Sequence, residues 1–425
     1  MKKEAQLVFT PAVGAMTFTS LQTRMLQVAH DLGKNKFAAR AHQWDDTASF
    51  PFANYEDLRT AGILKLCVPQ EFGGLGADYA TYMMVSAEIG RYCGATALTL
   101  NMHISSTMWT GVLLDGAGAL VMDEAQRAEH DRRRVLHFKR IVEGGKLYAQ
   151  PFSEGTAAAA GRAPFGTTAK KAVQNGVQGW LINGKKIWAS LSGAADFYGI
   201  LCTEDIEGAA PNPKDTLYIA VPAESEGLAI SGDWNPMGMR GTVSRNLTFT
   251  DVFVSDDEQL MPRGVYHKAA QTWPAMFFTL APTYLGVANA AYDFTVQYLR
   301  GEVPGEPPIK RRMYPTKQIA VAQMRIQLEN MKSIFSRAIL EAKPNPSKDE
   351  KLRLYAAHYS VMEGANDIAR LAIRTCGGQS MMKHLPLERL YRDSRCGALM
   401  LPWTAELLLD RMGRETLYES GERDA

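Results

Sequence analysis

Gly179-Trp-Leu-Ile-Asn-Gly-Lys-Lys-Ile-Trp-Ala-Ser190 decides how this chain is read. Two β-rich runs flank Asn183-Gly184, a residue pair suited to the positive-φ positions of a two-residue turn, so the segment predicts a β-hairpin. Outward from it, residues 197–202, 217–221 and 246–254 carry the same β-branched and aromatic bias, with no helical pattern between them. The middle of the chain is therefore expected to be an all-β module, which disfavours a doubly wound nucleotide-binding sheet.

On the N-terminal side the period changes to that of a helix. Leu21, Met25, Leu26 and Ala29 recur three and four apart, as do Leu58, Ile63 and Leu64, and residues 79–92 form a Met- and Ala-rich stretch. Between them Pro69-Gln-Glu-Phe-Gly-Gly-Leu-Gly76 marks a loop, and Gly116-Ala-Gly-Ala-Leu120 breaks a helix rather than forming a dinucleotide turn, since no strand precedes it. On the C-terminal side residues 275–299, 316–342 and 348–375 are each long enough for a bundle helix, with breaks at 304–308 and 343–347. The expectation is an α+β multidomain chain: an N-terminal α-helical domain over residues 1–147, a middle β-barrel or sandwich over 148–258, and a C-terminal four-helix bundle over 259–425.

Composition narrows the partners. Among 425 residues, 47 Lys and Arg oppose 45 Asp and Glu, giving a formal charge of +2 and no field that favours nucleic acid. The basic run at 127–140 is interrupted by Glu129 and Asp131, as on a solvated helix face. Cys67, Cys93, Cys202, Cys376 and Cys396 are odd in number and lack paired short spacings, which fits a reducing compartment and no zinc site. Residues 1–16 lack the apolar core of a signal peptide, and no window suits a membrane helix. A cytoplasmic enzyme without a resident metal is expected.

The α-β-α order, with several local strings, resembles the acyl-CoA dehydrogenase family of flavoproteins. Val68-Pro-Gln-Glu-Phe-Gly-Gly-Leu-Gly76 looks like its first-domain loop, Phe152-Ser-Glu154 stands at the start of its flavin loop, and Asn183-Gly-Lys-Lys-Ile-Trp-Ala-Ser190 looks like its hairpin. Met237-Gly-Met-Arg-Gly-Thr242 and Leu247-Thr-Phe-Thr-Asp-Val-Phe-Val254 resemble the close of its β domain. Cys376-Gly-Gly378, Pro386-Leu-Glu-Arg-Leu390 and Arg392-Asp-Ser-Arg395 are similar to its last-domain signature. The resemblance implies FAD held between the β domain and the C-terminal helices of a homotetramer or homodimer. Trp188, Ala189 and Ser190 match the flavin's wall and its N5-side hydroxyl, and Gln150, Phe152 and Ser153 match the opposite loop. An isoalloxazine ring, a broad apolar plane with a polar edge, suits such residues. Arg300 and Gln318 stand roughly where the family's Arg and Gln meet the pyrophosphate, across a longer spacing, and Gly377 and Gly378 match its glycine pair. Residues 157–161 depart from the family's usual Gly-Ser-Asp.

In most of that family a glutamate removes the α-proton of an acyl thioester while the β-hydride passes to the flavin. Counting on from the last-domain signature, its position is Leu401; the alternative position, counted back from Leu285-Gly286, is Met276. Neither accepts a proton. Three readings stay open. A relocated base serves, with Glu406 or His103 the candidates, His103 lying beside Asn101, Met102 and Ser106, which with Tyr284 and Leu401 would line the acyl pocket. Alternatively the fold performs oxygen chemistry that needs no such base, as in related flavin oxygenases, and Leu401 and Met276 exclude water. The third reading, a silent flavin-binding member, leaves the N5-side hydroxyl unexplained. The first is adopted: an FAD-dependent oxidoreductase of acyl or aryl thioesters of coenzyme A or a carrier protein, passing electrons to an electron-transfer flavoprotein or to O2, with an oxygenase or oxidase as the alternative.

Overall fold

The computed structural model describes residues 7–9, 17–155, 164–419 and 422. The departure noted at residues 157–161 lies outside them. Helices α1 (Ser20–Leu32), α2 (Ala38–Asp46), α3 (Phe52–Thr60), α4 (Tyr79–Gly90), α5 (Gly94–Met108), α6 (Leu114–Ala117) and α7 (Glu124–Val142) build the first layer. Their starts are written in side chains: Thr19 and Gln22 form a reciprocal cap on α1, and Asp123 and Gln126 do the same on α7. Helix α4 is apolar on all sides and almost wholly buried, as the centre of a helical layer requires.

The sheet follows. Strands β1 (Tyr148–Ala149), β2 (Thr168–Gln174), β3 (Val177–Ala189), β4 (Phe197–Glu204), β5 (Thr216–Pro222), β6 (Leu228–Ser231), β7 (Arg245–Ser255) and β8 (Gln259–Met261) form one eight-stranded sheet. Its order is β6-β7-β3-β2-β4-β5-β8, with β1 added parallel to β4. Here the sequence reading needs a correction. Asn183-Gly184 is not the hairpin turn: β3 continues through it with a register shift against β7, and the turn that joins β2 to β3 is the other Asn-Gly pair, Asn175-Gly176, at φ 52° and 80° with Gln174 facing Val177. Gly184 is needed for close approach instead, because a Cβ there would stand 2.7 Å from the Thr167 backbone. Asn183 exchanges hydrogen bonds with the backbone and side chain of Asp251 on β7.

The last layer holds α8 (Val265–Thr272), α9 (Ala281–Arg300), α10 (Pro315–Leu340), α11 (Lys348–Cys376), α12 (Leu387–Cys396) and α13 (Ala405–Leu417). The helix expected from residue 275 begins later, because Pro274 opens a tight 3-10 turn, Pro274–Leu280, before α9. Helices α4 and α9 cross in backbone contact: a Cβ on Gly286 would lie 2.3 Å from the Ala87 carbonyl. The Arg-Asp pair of α12 ties the layers together. Arg392 binds both carboxylate oxygens of Asp45, at 2.9 and 2.5 Å, and also Glu388 and the Met237 carbonyl, while Asp393 accepts the Met239 N–H at 2.5 Å.

Candidate active site

Strand β3 is bulged where the aromatic wall was expected. Its pairing with β7 slips between Lys186 and Ala189, and Trp188 adopts φ 53°, so its indole stands 61% exposed while Ala189 is buried. A bulky aromatic held in left-handed backbone and open to solvent is a local cost that a planar partner would offset. Ser190, nearly buried, lies 2.8 Å from the Ser244 hydroxyl, which lies 2.8 Å from the Thr242 hydroxyl; Thr242 donates to the Met239 carbonyl. The buried hydroxyl chain thus ends on main chain and leaves Ser190 oriented beside the bulge.

The loop after β1 faces it. The Ile187 N–H donates to the Ser153 carbonyl at 2.8 Å, which brings residues 150–155 alongside the bulge. Gln150 donates to the Tyr218 hydroxyl at 2.8 Å, and the Phe152 ring lies 5.6 Å from that of Trp109. Glu154 fixes the loop. It accepts the Gly166 and Thr167 N–H groups and pairs at 2.5 Å with the fully buried Lys186 ammonium, which also donates to the Leu201 carbonyl and sits 4.9 Å over the Phe165 ring. The ion pair holds the Glu154 carboxyl below its ordinary range against its burial. This pair escaped the sequence reading, although Lys186 shares the inward parity of Trp180 and Ile182 on β3.

Gly377 ends α11 at φ 83°, and side chains on Gly377 or Gly378 would meet open space, so backbone is presented there. Arg300 and Gln318 each have a partner of their own. Arg300 is bound to Glu302, and the Gln318 amide donates to the Arg312 carbonyl. Arg311, Arg312 and Lys317 bring further positive charge to the start of α10. A cavity of about 170 Å³ is lined in part by Tyr298, Glu306, Arg311 and Gln379, the residue that follows the glycine pair.

Of the residues expected around a substrate, Asn101, His103, Ser106 and Tyr284 are buried and only Met102 and Leu401 keep part of their surface. Asn101 accepts from Tyr82, Ser106 donates to the His103 carbonyl, and Tyr284 contacts the Met400 sulfur. His103 does not fit the role of a relocated base. Its Nε2 lies 2.9 Å from the Leu64 carbonyl and its Nδ1 accepts the Tyr148 N–H, so neither nitrogen is available, and burial lowers its pKa to about 4. Glu406 is exposed in the first turn of α13, where a carboxylate complements the helix dipole. Met276 is buried, and Leu401 is half-buried ahead of Trp403. Among the described residues no cluster of His, Cys, Asp and Glu could hold a metal, and no helix is long and apolar enough to cross a membrane.

Three family models match the chain in order: the acyl-CoA dehydrogenase N-terminal domain over residues 19–120, the middle domain over 154–252 and the C-terminal domain over 278–415. The chain is 28% identical over 375 residues to the human short-chain specific acyl-CoA dehydrogenase, covering 87% of this chain and 84% of that one. It is 25% identical over 386 residues to the 3-(aryl)acrylate reductase of Clostridium sporogenes, covering 90% and 95%. In fold it is similar to TdsC from Paenibacillus sp. A11-2, solved with FMN and indole, with a TM-score of 0.78 at 20% identity over 93% of this chain and 97% of that one.

Proposed function

Because the chain belongs to the acyl-CoA dehydrogenase family, we propose that it is an FAD-dependent oxidoreductase acting on an acyl or aryl thioester of coenzyme A or a carrier protein. The observation that carries this reading is the meeting of two loops, Ser153 against Ile187, beside the exposed Trp188 indole and the buried Ser190 hydroxyl chain. A flavin bound there supplies a two-electron acceptor. The chain's own residues do the rest. Trp188 offers a stacking face, Ser190 a held hydroxyl for a ring heteroatom, and Phe152 with Trp109 an apolar backing that excludes water. Gly377 and Gly378 present backbone, and Arg311, Arg312 and Lys317 present charge, to the phosphate end of the cofactor.

The exposed apolar side chains Ile309, Met313, Tyr314, Ile319, Met381 and Met382 give a second copy of the chain a surface to cover, consistent with a homodimer or homotetramer. Five unpaired cysteines accord with a reducing, cytoplasmic setting. Electrons leave to an electron-transfer flavoprotein or to O2. An O2-using oxygenase or oxidase is the second reading, and one finding favours it: both glutamate positions are apolar and His103 has no free nitrogen.

The experiment is to mix the flavin-loaded protein with a panel of saturated acyl and aryl thioesters under nitrogen and under air. Bleaching under nitrogen with release of an enoyl product supports the dehydrogenase. Turnover only in air, with product oxygen labelled from O2, supports the second reading, and no response to any thioester in either gas defeats the thioester assignment.

A further inference from the structure

Behind the flavin loop, aromatic rings from five separate segments form a continuous layer. Trp109, which follows α5, has its ring 5.6 Å from Phe152, 5.9 Å from Tyr266 of α8 and 6.3 Å from Phe277 of the 3-10 turn. Phe277 is in turn 5.8 Å from Trp403, two residues past Leu401. Trp109, Tyr266 and Trp403 are buried, whereas Phe152 and Phe277 keep part of their surface. The layer therefore has a closed floor and an open rim, and it runs from the flavin loop to the position of the missing base.

Two members of the layer carry unmet donors. The Trp109 indole N–H and the Tyr266 hydroxyl are buried and have no hydrogen-bond partner among the described residues, although the neighbouring Tyr218 hydroxyl is engaged by Gln150. A buried donor without an acceptor keeps the full cost of leaving water; the indoles of Trp44, Trp180 and Trp273 and the Tyr55 hydroxyl share this state elsewhere in the core, so what sets Trp109 and Tyr266 apart is that the two lie in one ring cluster. Two in one ring cluster beside a cofactor cleft point to an acceptor that arrives with a ligand. An aliphatic acyl tail would leave both orphaned. A planar ring carrying an oxygen or nitrogen acceptor would satisfy them and pack edge-to-face on its neighbours.

We propose that the substrate carries an aryl group with a hydrogen-bond acceptor on the ring, and that Trp109 Nε1 and the Tyr266 hydroxyl select it. The inference rests on the oxidoreductase reading above and narrows the substrate of the same site.

Calorimetric titration of the holoprotein tests it, using 4-methoxycinnamoyl-CoA, cinnamoyl-CoA and trans-2-octenoyl-CoA as probes, alongside 4-methoxycinnamate and cinnamate as free acids. The methoxy ring is expected to bind about tenfold more tightly than the unsubstituted ring, the scale of one or two neutral hydrogen bonds, with octenoyl-CoA weakest of the three esters. Trp109→Phe and Tyr266→Phe, which keep a ring and remove the donor, should each collapse that methoxy preference several-fold. Tyr266→Phe should melt at or above the wild-type temperature, because it deletes an unsatisfied group. A methoxy preference that survives in both variants, tightest binding of octenoyl-CoA, or a Tyr266→Phe melting point lower by many degrees would each overturn the proposal, the last by showing that the hydroxyl is already satisfied. If no CoA ester binds, the thioester reading fails while the free-acid pair still decides the aryl preference: a methoxy advantage upholds it and equal affinity rejects it.

Discussion

Replacing Glu154 by Gln removes the counter-charge that holds a fully buried lysine in its charged form against its burial. The Lys186 side chain is fully buried, and its remaining partners would be the Leu201 carbonyl at 2.5 Å and the Phe165 ring at 4.9 Å. Removing one partner of a buried ion pair costs about 3–5 kcal/mol, because the charge left behind stays desolvated. Lys186→Met should be milder, about 1–3 kcal/mol, since Glu154 keeps the Gly166 and Thr167 N–H groups. In the double variant Glu154→Gln/Lys186→Met neither charge remains, so its loss should fall short of the sum of the singles by about 2 kcal/mol or more. Thermal unfolding of the three proteins, at roughly 1 °C per kcal/mol for a chain of this length, resolves these differences. The Ser153 carbonyl rides on the same loop, so flavin affinity should fall in Glu154→Gln in parallel with stability. Strict additivity of the singles, or a Glu154→Gln protein that melts with the wild type, would refute the claim that this pair pins the loop carrying Ser153.

Two further outcomes follow from the site and the core. Burial lowers the pKa of His103 and His130 to about 4 and of His137 and His358 to about 3, and unfolding returns each to about 6.5, so the unfolded chain binds more protons in acid. Stability should therefore fall as pH drops from 6.5 towards 4, by up to about 1.4 kcal/mol per pH unit for each imidazole. Asp393, raised to about 6 by burial, and Asp293, raised in the same direction, oppose this by gaining stability as pH falls, but two carboxyls are outweighed by four imidazoles; melting temperatures level between pH 7 and 4.5 would contradict the assignment. Leu401→Glu should speed anaerobic flavin reduction by a saturated thioester by on the order of 10²-fold, the scale of one general base, and stopped-flow rates equal to wild type would show that this position does not face a substrate.

How much of this the sequence disclosed depends on the range of the interaction. Helices α10 and α11 could be placed within a residue or two because Pro315 and Ser347 mark their starts locally. The β module was legible from composition, yet the hairpin was set on the wrong Asn-Gly pair. Both pairs carry the same local signal, and the choice between them rests on β7 and Thr167, distant in sequence. The strings around Trp188 and Ser153 singled out two segments that meet in the fold, but not that Ser153 bonds Ile187 or that Glu154 reaches Lys186 across 32 positions. His103 shows the reverse failure: a histidine on a pocket helix suggests chemistry until two backbone groups, Leu64 and Tyr148, are found to use both its nitrogens. Arg300 suggested a phosphate contact, and the structure adds only a solvent-exposed pair with Glu302 that sequence spacing did not single out.

In the proposed function a flavin lies between the Trp188 bulge and the Ser153 loop. The most direct measurement of this is titration of cofactor-free protein with FAD, reading flavin absorbance and the fluorescence of Trp188 against a Trp188→Leu control. Saturable one-to-one uptake, a yellow protein that releases FAD on denaturation, and quenching that is lost in the control are the predicted result; a protein that stays colourless, or that binds FAD with its Trp188 emission unchanged, would contradict the account.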